Sequence, residues 1–181
     1  MAKLPLWVRK MFANGVHLFT ATGAVWGFLT LLAIWDENYK LAIIYIIVAM
    51  FVDGFDGMLA RWFDVKLYAK GIDGGLMDNI IDFLNYVIVA SLFLLKVPNL
   101  MPVGWAMPAA ISILLTSAFQ FSQTDAKTDD QSYFFKGFPS VWNFLVLYMM
   151  LLGLNPWINL AALVICNILV FVPVKYLYPT R

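Results

Sequence analysis

Asp53 and Asp56 are three residues apart, and Asp78 and Asp82 are four apart. Both spacings put a pair of carboxylates on one face of a helix. The first pair follows the apolar run LAIIYIIVAMF at 41–51, where a charged side chain at bilayer depth costs about 3 kcal/mol or more. Four clustered anions in a low dielectric repel one another unless cations join them. Hard divalent ions take oxygen ligands, and Mg²⁺ pairs carboxylates with water and phosphate oxygens. Two such ions about 4 Å apart can hold both the attacking and the leaving oxygen of a phosphoryl displacement. Asp53, Asp56, Asp78 and Asp82 are therefore the candidate ligands of two Mg²⁺ or Mn²⁺ ions. Asp64 and Asp73, which stand alone, read as hydrated helix ends.

Small residues extend the same faces. Gly57 and Ala60 lie beyond Asp56, and Gly74 lies one turn before Asp78. They leave room for something bulky against the backbone, although small residues by themselves more often mean helix packing. Arg61 follows at the boundary, suited to a phosphate or a carboxylate. His17 taken alone reads as structural.

The elements that must position these residues are membrane helices. Of 181 residues, 62% are hydrophobic and 13% charged. This composition is that of an integral membrane protein rather than a soluble domain. A net charge of +1 gives a nucleic-acid partner no support. The lone Cys166 cannot form an intrachain disulfide. The basic start MAKLPLWVRK resembles a signal peptide, but the apolar stretch after it is too long for a cleaved one and reads as a retained span. With a crossing helix needing about 20 apolar residues, the chain offers candidate spans at 14–35, 41–61, 75–96, 103–122, 138–154 and 156–176. The fold expected is all-α, a six-helix polytopic bundle forming one membrane domain over 1–181. Lys3, Arg9, Lys10, Arg61, Lys66, Lys70, Lys127, Lys136, Lys175 and Arg181 fall on one side, against Lys40 and Lys96 on the other. That asymmetry places both termini in the cytoplasm. It also puts both aspartate pairs in the cytoplasmic half of the membrane, on consecutive helices expected to be neighbours.

The pattern Asp53-x-x-Asp56-Gly57-x-x-Ala60-Arg61, then Gly74-x-x-x-Asp78-x-x-x-Asp82, resembles the signature of the CDP-alcohol phosphotransferases, a family of six-span enzymes. The resemblance implies transfer of a phospho-group from a CDP-linked donor to an alcohol, with release of CMP. Residues 62–73, between Arg61 and Gly74, make a longer gap than most of the family has. The longer gap, with VHLFTATGAVWGFL at 16–29 and FQFSQTDAKTDDQSYFFKGFPSVWN at 119–143, is similar to the bacterial phosphatidylcholine synthases, which condense CDP-diacylglycerol with choline. Those synthases usually run about two spans further, so C-terminal helices are expected to be missing here. His17-x-x-Thr20-x-x-Gly23 resembles an Asn-x-x-Thr-x-x-Gly pattern lining the nucleotide pocket of relatives, with histidine in place of asparagine.

The resemblance implies these roles: Asp53, Asp56 and Asp78 hold the metals, Asp82 completes the site and acts as the base that takes the choline proton, and cytidine lies against Gly57, Ala60 and Gly74, with Arg61, His17 and Thr20 as further nucleotide contacts. It also implies a homodimer in a bacterial inner membrane with the site facing the cytoplasm. Choline, a permanent cation, suits aromatic faces. Tyr86, Trp142 and Tyr133 are the candidates, with Asp125 as a countercharge, although membrane aromatics are commonly interfacial anchors. Serine, inositol or glycerol phosphate as acceptor would keep the same fold. A phosphorylated acceptor would demand a basic cluster beyond Arg61, which scattered lysines do not suggest. From another class, a divalent-cation transporter would also use intramembrane carboxylates, but it needs neither Arg61 nor the glycines at these spacings.

Overall fold

The computed structural model describes residues 5–123, 134–172 and 175–177. Helix α1 (Leu6–Trp35) starts directly after Pro5, whose fixed φ suits a helix start. It therefore begins well before the expected position 14. The WDENYK break is a tight turn: Glu37 takes φ 57°, and the Asn38 side chain accepts the Leu41 N–H at 3.3 Å. This cap begins α2 (Tyr39–Trp62). A short helix α3 (Val65–Tyr68) sits inside the long gap.

The third long apolar helix runs from Gly74 to Lys96 and changes character along its length. It is α-helical over α4 (Gly74–Asp82), π-helical over Phe83–Ile88, and α-helical again over α5 (Val89–Lys96). Asp73 caps it, its Oδ1 accepting the Leu76 N–H at 3.0 Å, in keeping with the helix-end reading of that residue. Helices α6 (Ala106–Phe121), α7 (Trp142–Leu152) and α8 (Pro156–Phe171) follow. The turn between the last two uses Gly153 at φ 57°, then Asn155 as cap and Pro156 in the first turn.

The helical expectation needs one correction. Phe134–Lys136 (β1) pairs antiparallel with Lys175–Leu177 (β2), so the sixth apolar segment stops being helical at Phe171 instead of running to 176. Helices α1, α2 and Gly74–Lys96 are long and apolar enough to cross a membrane, and α6, α7 and α8 are shorter apolar helices. The eleven residues of α7 rise about 16 Å, against a hydrocarbon thickness of about 30 Å.

Helix α1 packs along α2 and also meets α4, the π-helical segment and α5. It bridges the two carboxylate-bearing helices. Close approach depends on Gly23 and Gly27. A Cβ at Gly23 would lie 2.9 Å from Ile81 Cγ2, and one at Gly27 would collide with Asn85 Oδ1. Asn85 Nδ2 donates to the Gly23 carbonyl at 3.2 Å. The main core gathers Ile34, Ile46, Val87, Phe93, Ile113, Trp142 and Leu163. Outside it, Leu18, Phe28, Phe51, Leu115, Leu151 and Ile165 are exposed. Apolar surface on that scale would be untenable in water and fits a chain embedded in lipid.

Candidate active site

The helical period brings three of the four acids together and leaves Asp56 outside the group. One carboxylate oxygen from each of Asp53, Asp78 and Asp82 lies within 4.8 Å of the others. Asp53 comes from α2 and the other two from α4. Asp56 is one turn along α2, buried against the Thr20 side chain and within electrostatic reach of Asp78 and Asp53. A hard, all-oxygen donor set of this kind matches Mg²⁺ or Mn²⁺ and would leave sulfur-seeking metals unsatisfied. The residues present therefore fit a divalent metal.

Asp78 also belongs to a cavity of about 420 Å³, within the range of about 300–1,000 Å³ that small-molecule sites occupy. Five residues singled out for a nucleotide line it, together with Asp56: His17, Thr20, Gly57, Ala60 and Gly74. His17 is buried, and its Nε2 has no hydrogen-bond partner among the described residues. Gly74 is tight against it, because a Cβ there would come 2.9 Å from His17 Cε1. The room left by Gly74 is thus taken first by the imidazole. Gly57 is looser. Among the described residues its added Cβ would meet only Arg61 Nη1, at 3.7 Å, and Arg61 is not part of the cavity lining.

Sequence reasoning missed two cations. Lys66 and Lys70, used there only to orient the chain, line the cavity. Helix α3 carries Lys66 and leads into Lys70, and it is held against the start of α1. Val65 and Ala69 bury against Ala13 and Val16, and Phe63 stacks on Phe12 at 5.3 Å. Arg9 Nη1 donates to the Tyr68 hydroxyl at 2.8 Å. Two lysines inside the insert were the signal available in the sequence.

The aromatic candidates separate. Tyr86 is buried, and its hydroxyl donates to Asp53 Oδ2. Its ring lies 6.4 Å from Phe144. Trp142 is fully buried in the core, donating from Nε1 to Ser117 Oγ at 2.7 Å, and, like Tyr86, does not line the cavity. Tyr133 and Asp125 lie outside the described residues.

Helices, acid cluster and cavity together define a site of hard oxygen donors beside a small-molecule cavity in a membrane-embedded helical protein. A profile of the CDP-alcohol phosphatidyltransferase family matches residues 10–173, and the chain belongs to that family. It is 43% identical over 180 residues to a phosphatidylcholine synthase of Legionella pneumophila, covering 99% of this chain and 70% of the relative. It is 38% identical over 166 residues to a phosphatidylcholine synthase of Borreliella burgdorferi, covering 92% and 70%. A phosphatidylcholine synthase of Pseudomonas aeruginosa matches at 36% over 174 residues, covering 96% and 72%.

Proposed function

We propose that this chain transfers the phosphatidyl group of CDP-diacylglycerol to choline, giving phosphatidylcholine and CMP. The observation that carries this reading is the junction of carboxylate cluster and cavity at Asp78. The similarity to proteins named phosphatidylcholine synthase directs the choice of acceptor.

Asp53, Asp56, Asp78 and Asp82 would hold two Mg²⁺ or Mn²⁺ ions, which when bound neutralise charge on the diphosphate and on the departing CMP. The chain's own residues do the rest. The cavity takes the cytidine end, with Gly57 and Ala60 giving it the backbone and His17, whose buried Nε2 has no partner among the described residues, as a further contact. Lys66 and Lys70 supply positive charge to the phosphates. Asp82 accepts the choline hydroxyl proton. The choline oxygen then bonds to the phosphorus carrying diacylglycerol, the bond from that phosphorus to the CMP oxygen breaks, and CMP leaves. The acyl chains stay in the bilayer throughout, which accounts for phosphate chemistry inside a membrane protein. The Tyr86 ring, beside the cluster, offers a face to the choline cation.

The same reading takes residues 1–181 as a single membrane domain of six spans in the bacterial inner membrane, with both termini and the site on the cytoplasmic side and, as in the family, a homodimer. A reporter fused after Arg181 should then read cytoplasmic, and a periplasmic signal would contradict the arrangement.

The acceptor is tested by offering purified protein CDP-diacylglycerol with labelled choline, serine, inositol or glycerol 3-phosphate, one at a time. Choline should be converted, with ethanolamine a much poorer acceptor because its ammonium prefers hydrogen-bond partners. Conversion of serine or inositol while choline stays unreacted would leave only the family assignment. Lys66→Ala and Lys70→Ala should each raise the KM for CDP-diacylglycerol severalfold and lessen its salt dependence, with the KM for choline unchanged. An unchanged donor KM in the double variant would remove the lysines from the site.

A further inference from the structure

The hydroxyl of Tyr86 has a task separate from its ring. It donates to Asp53 Oδ2 across the gap between the third long helix and α2. Asp53 is one of the three residues whose carboxylate oxygens converge within 4.8 Å. A carboxylate has two oxygens, and a donor fixed on one of them leaves the other to face the cluster. Tyr86 itself is firmly held, being buried with its ring near Phe144.

The backbone at this point is unusual. Phe83–Ile88 is π-helical between two α-helical stretches, and single π turns inside α-helices concentrate at functional sites. The wider turn begins directly after Asp82 and contains both Asn85 and Tyr86. Asn85 fixes the segment to α1 by donating to the Gly23 carbonyl, and it fits only because Gly27 has no side chain. Tyr86, the next residue, reaches α2. The π segment thus ties one helix to the backbone of α1 and to a site carboxylate of α2 in consecutive residues.

We propose that Tyr86 is a positioning residue for the metal centre: its hydroxyl orients the Asp53 carboxylate toward Asp78 and Asp82, and the π-helical turn places it there. The inference rests on the metal-centre reading above and deepens it. It also divides the two parts of the side chain, with the hydroxyl serving the metal and the ring serving the acceptor.

Tyr86→Phe removes the hydroxyl and keeps the ring. Mn²⁺ binding to the purified protein, followed by electron paramagnetic resonance, should weaken about 10–100-fold, as loss of an outer-shell partner does. The KM for choline should stay within twofold of the unaltered protein, and so should the fraction of folded protein after heating. Tyr86→Ala should weaken Mn²⁺ binding as much and raise the choline KM in addition. In an Asp53→Ala background, Tyr86→Phe should have no further effect on Mn²⁺ affinity, because the group it orients is gone. Unchanged Mn²⁺ affinity in Tyr86→Phe overturns the assignment, as does an equal loss in the Asp53→Ala background. Failure of the unaltered protein to bind Mn²⁺ overturns the metal centre and the positioning role together. The Mn²⁺ affinities do not depend on the identity of the acceptor, so a wrong acceptor leaves this test intact.

Discussion

Asp78→Asn should reduce phosphatidyl transfer more than about 1,000-fold, well beyond the 10–100-fold that loss of an outer-shell partner costs. Asp78 is singled out because it belongs both to the cluster with Asp53 and Asp82 and to the cavity lining. Asparagine keeps the shape but removes the charge that draws a hard cation. Asp53→Asn and Asp56→Asn should lose turnover comparably, since each removes an anion from one shared group. Chelation with EDTA should have the same outcome in the unaltered protein, with Mg²⁺ or Mn²⁺ restoring rate. The measurement is CMP release at saturating CDP-diacylglycerol and choline, with metal in excess so that weakened affinity alone cannot explain a loss. A tenth or more of the rate remaining in Asp78→Asn, or full activity in metal-free buffer, would remove the carboxylates from the chemistry.

Asp82→Asn separates a second role. If Asp82 chiefly takes the proton from choline, the variant should lose about 10²–10⁴-fold in kcat, the usual scale of general-base catalysis. It should still bind CDP-diacylglycerol measurably by calorimetry in the presence of metal. The geometry allows Asp82 to be a ligand as well, because its oxygen lies within the same 4.8 Å as those of Asp53 and Asp78. Complete loss of donor binding would assign it to the metals and leave the base to another group. The contrast with Asp78→Asn is itself informative. Both variants lose turnover, but only the loss at Asp78 should extend to the donor, since Asp78 faces the cavity and Asp82 is not part of its lining.

Much of this was legible in the sequence, for reasons that differ from residue to residue. The helices were visible because charged or proline-bearing breaks interrupt the apolar runs, and the caps at Asn38, Asp73 and Asn155 fall at those breaks. The aspartate cluster was visible because spacings of three and four map onto one helix face. Ends were less legible. Hydropathy alone does not mark the start of α1 at Leu6, and the β1–β2 pairing joins segments distant in the chain.

The site features missed are those set by tertiary contacts. Lys66 and Lys70 reach the cavity only because α3 docks on the first turns of α1. Gly74 read as space for a ligand, whereas the nearest atom to an added Cβ belongs to His17. A π-helical turn carries no periodic signature over six residues, so the Tyr86 side chain read as an aromatic face and its bond to Asp53 stayed hidden.

The stoichiometry of the proposed transfer is its most direct measurement. Purified protein in vesicles containing CDP-diacylglycerol is given labelled choline and Mn²⁺, and CMP and labelled phosphatidylcholine are quantified together over time. The two products should appear one to one, EDTA should stop both, and added CMP with labelled phosphatidylcholine should regenerate CDP-diacylglycerol and choline. CMP released without labelled phosphatidylcholine, or no CMP at all while choline and metal are both present, would contradict the proposed transfer.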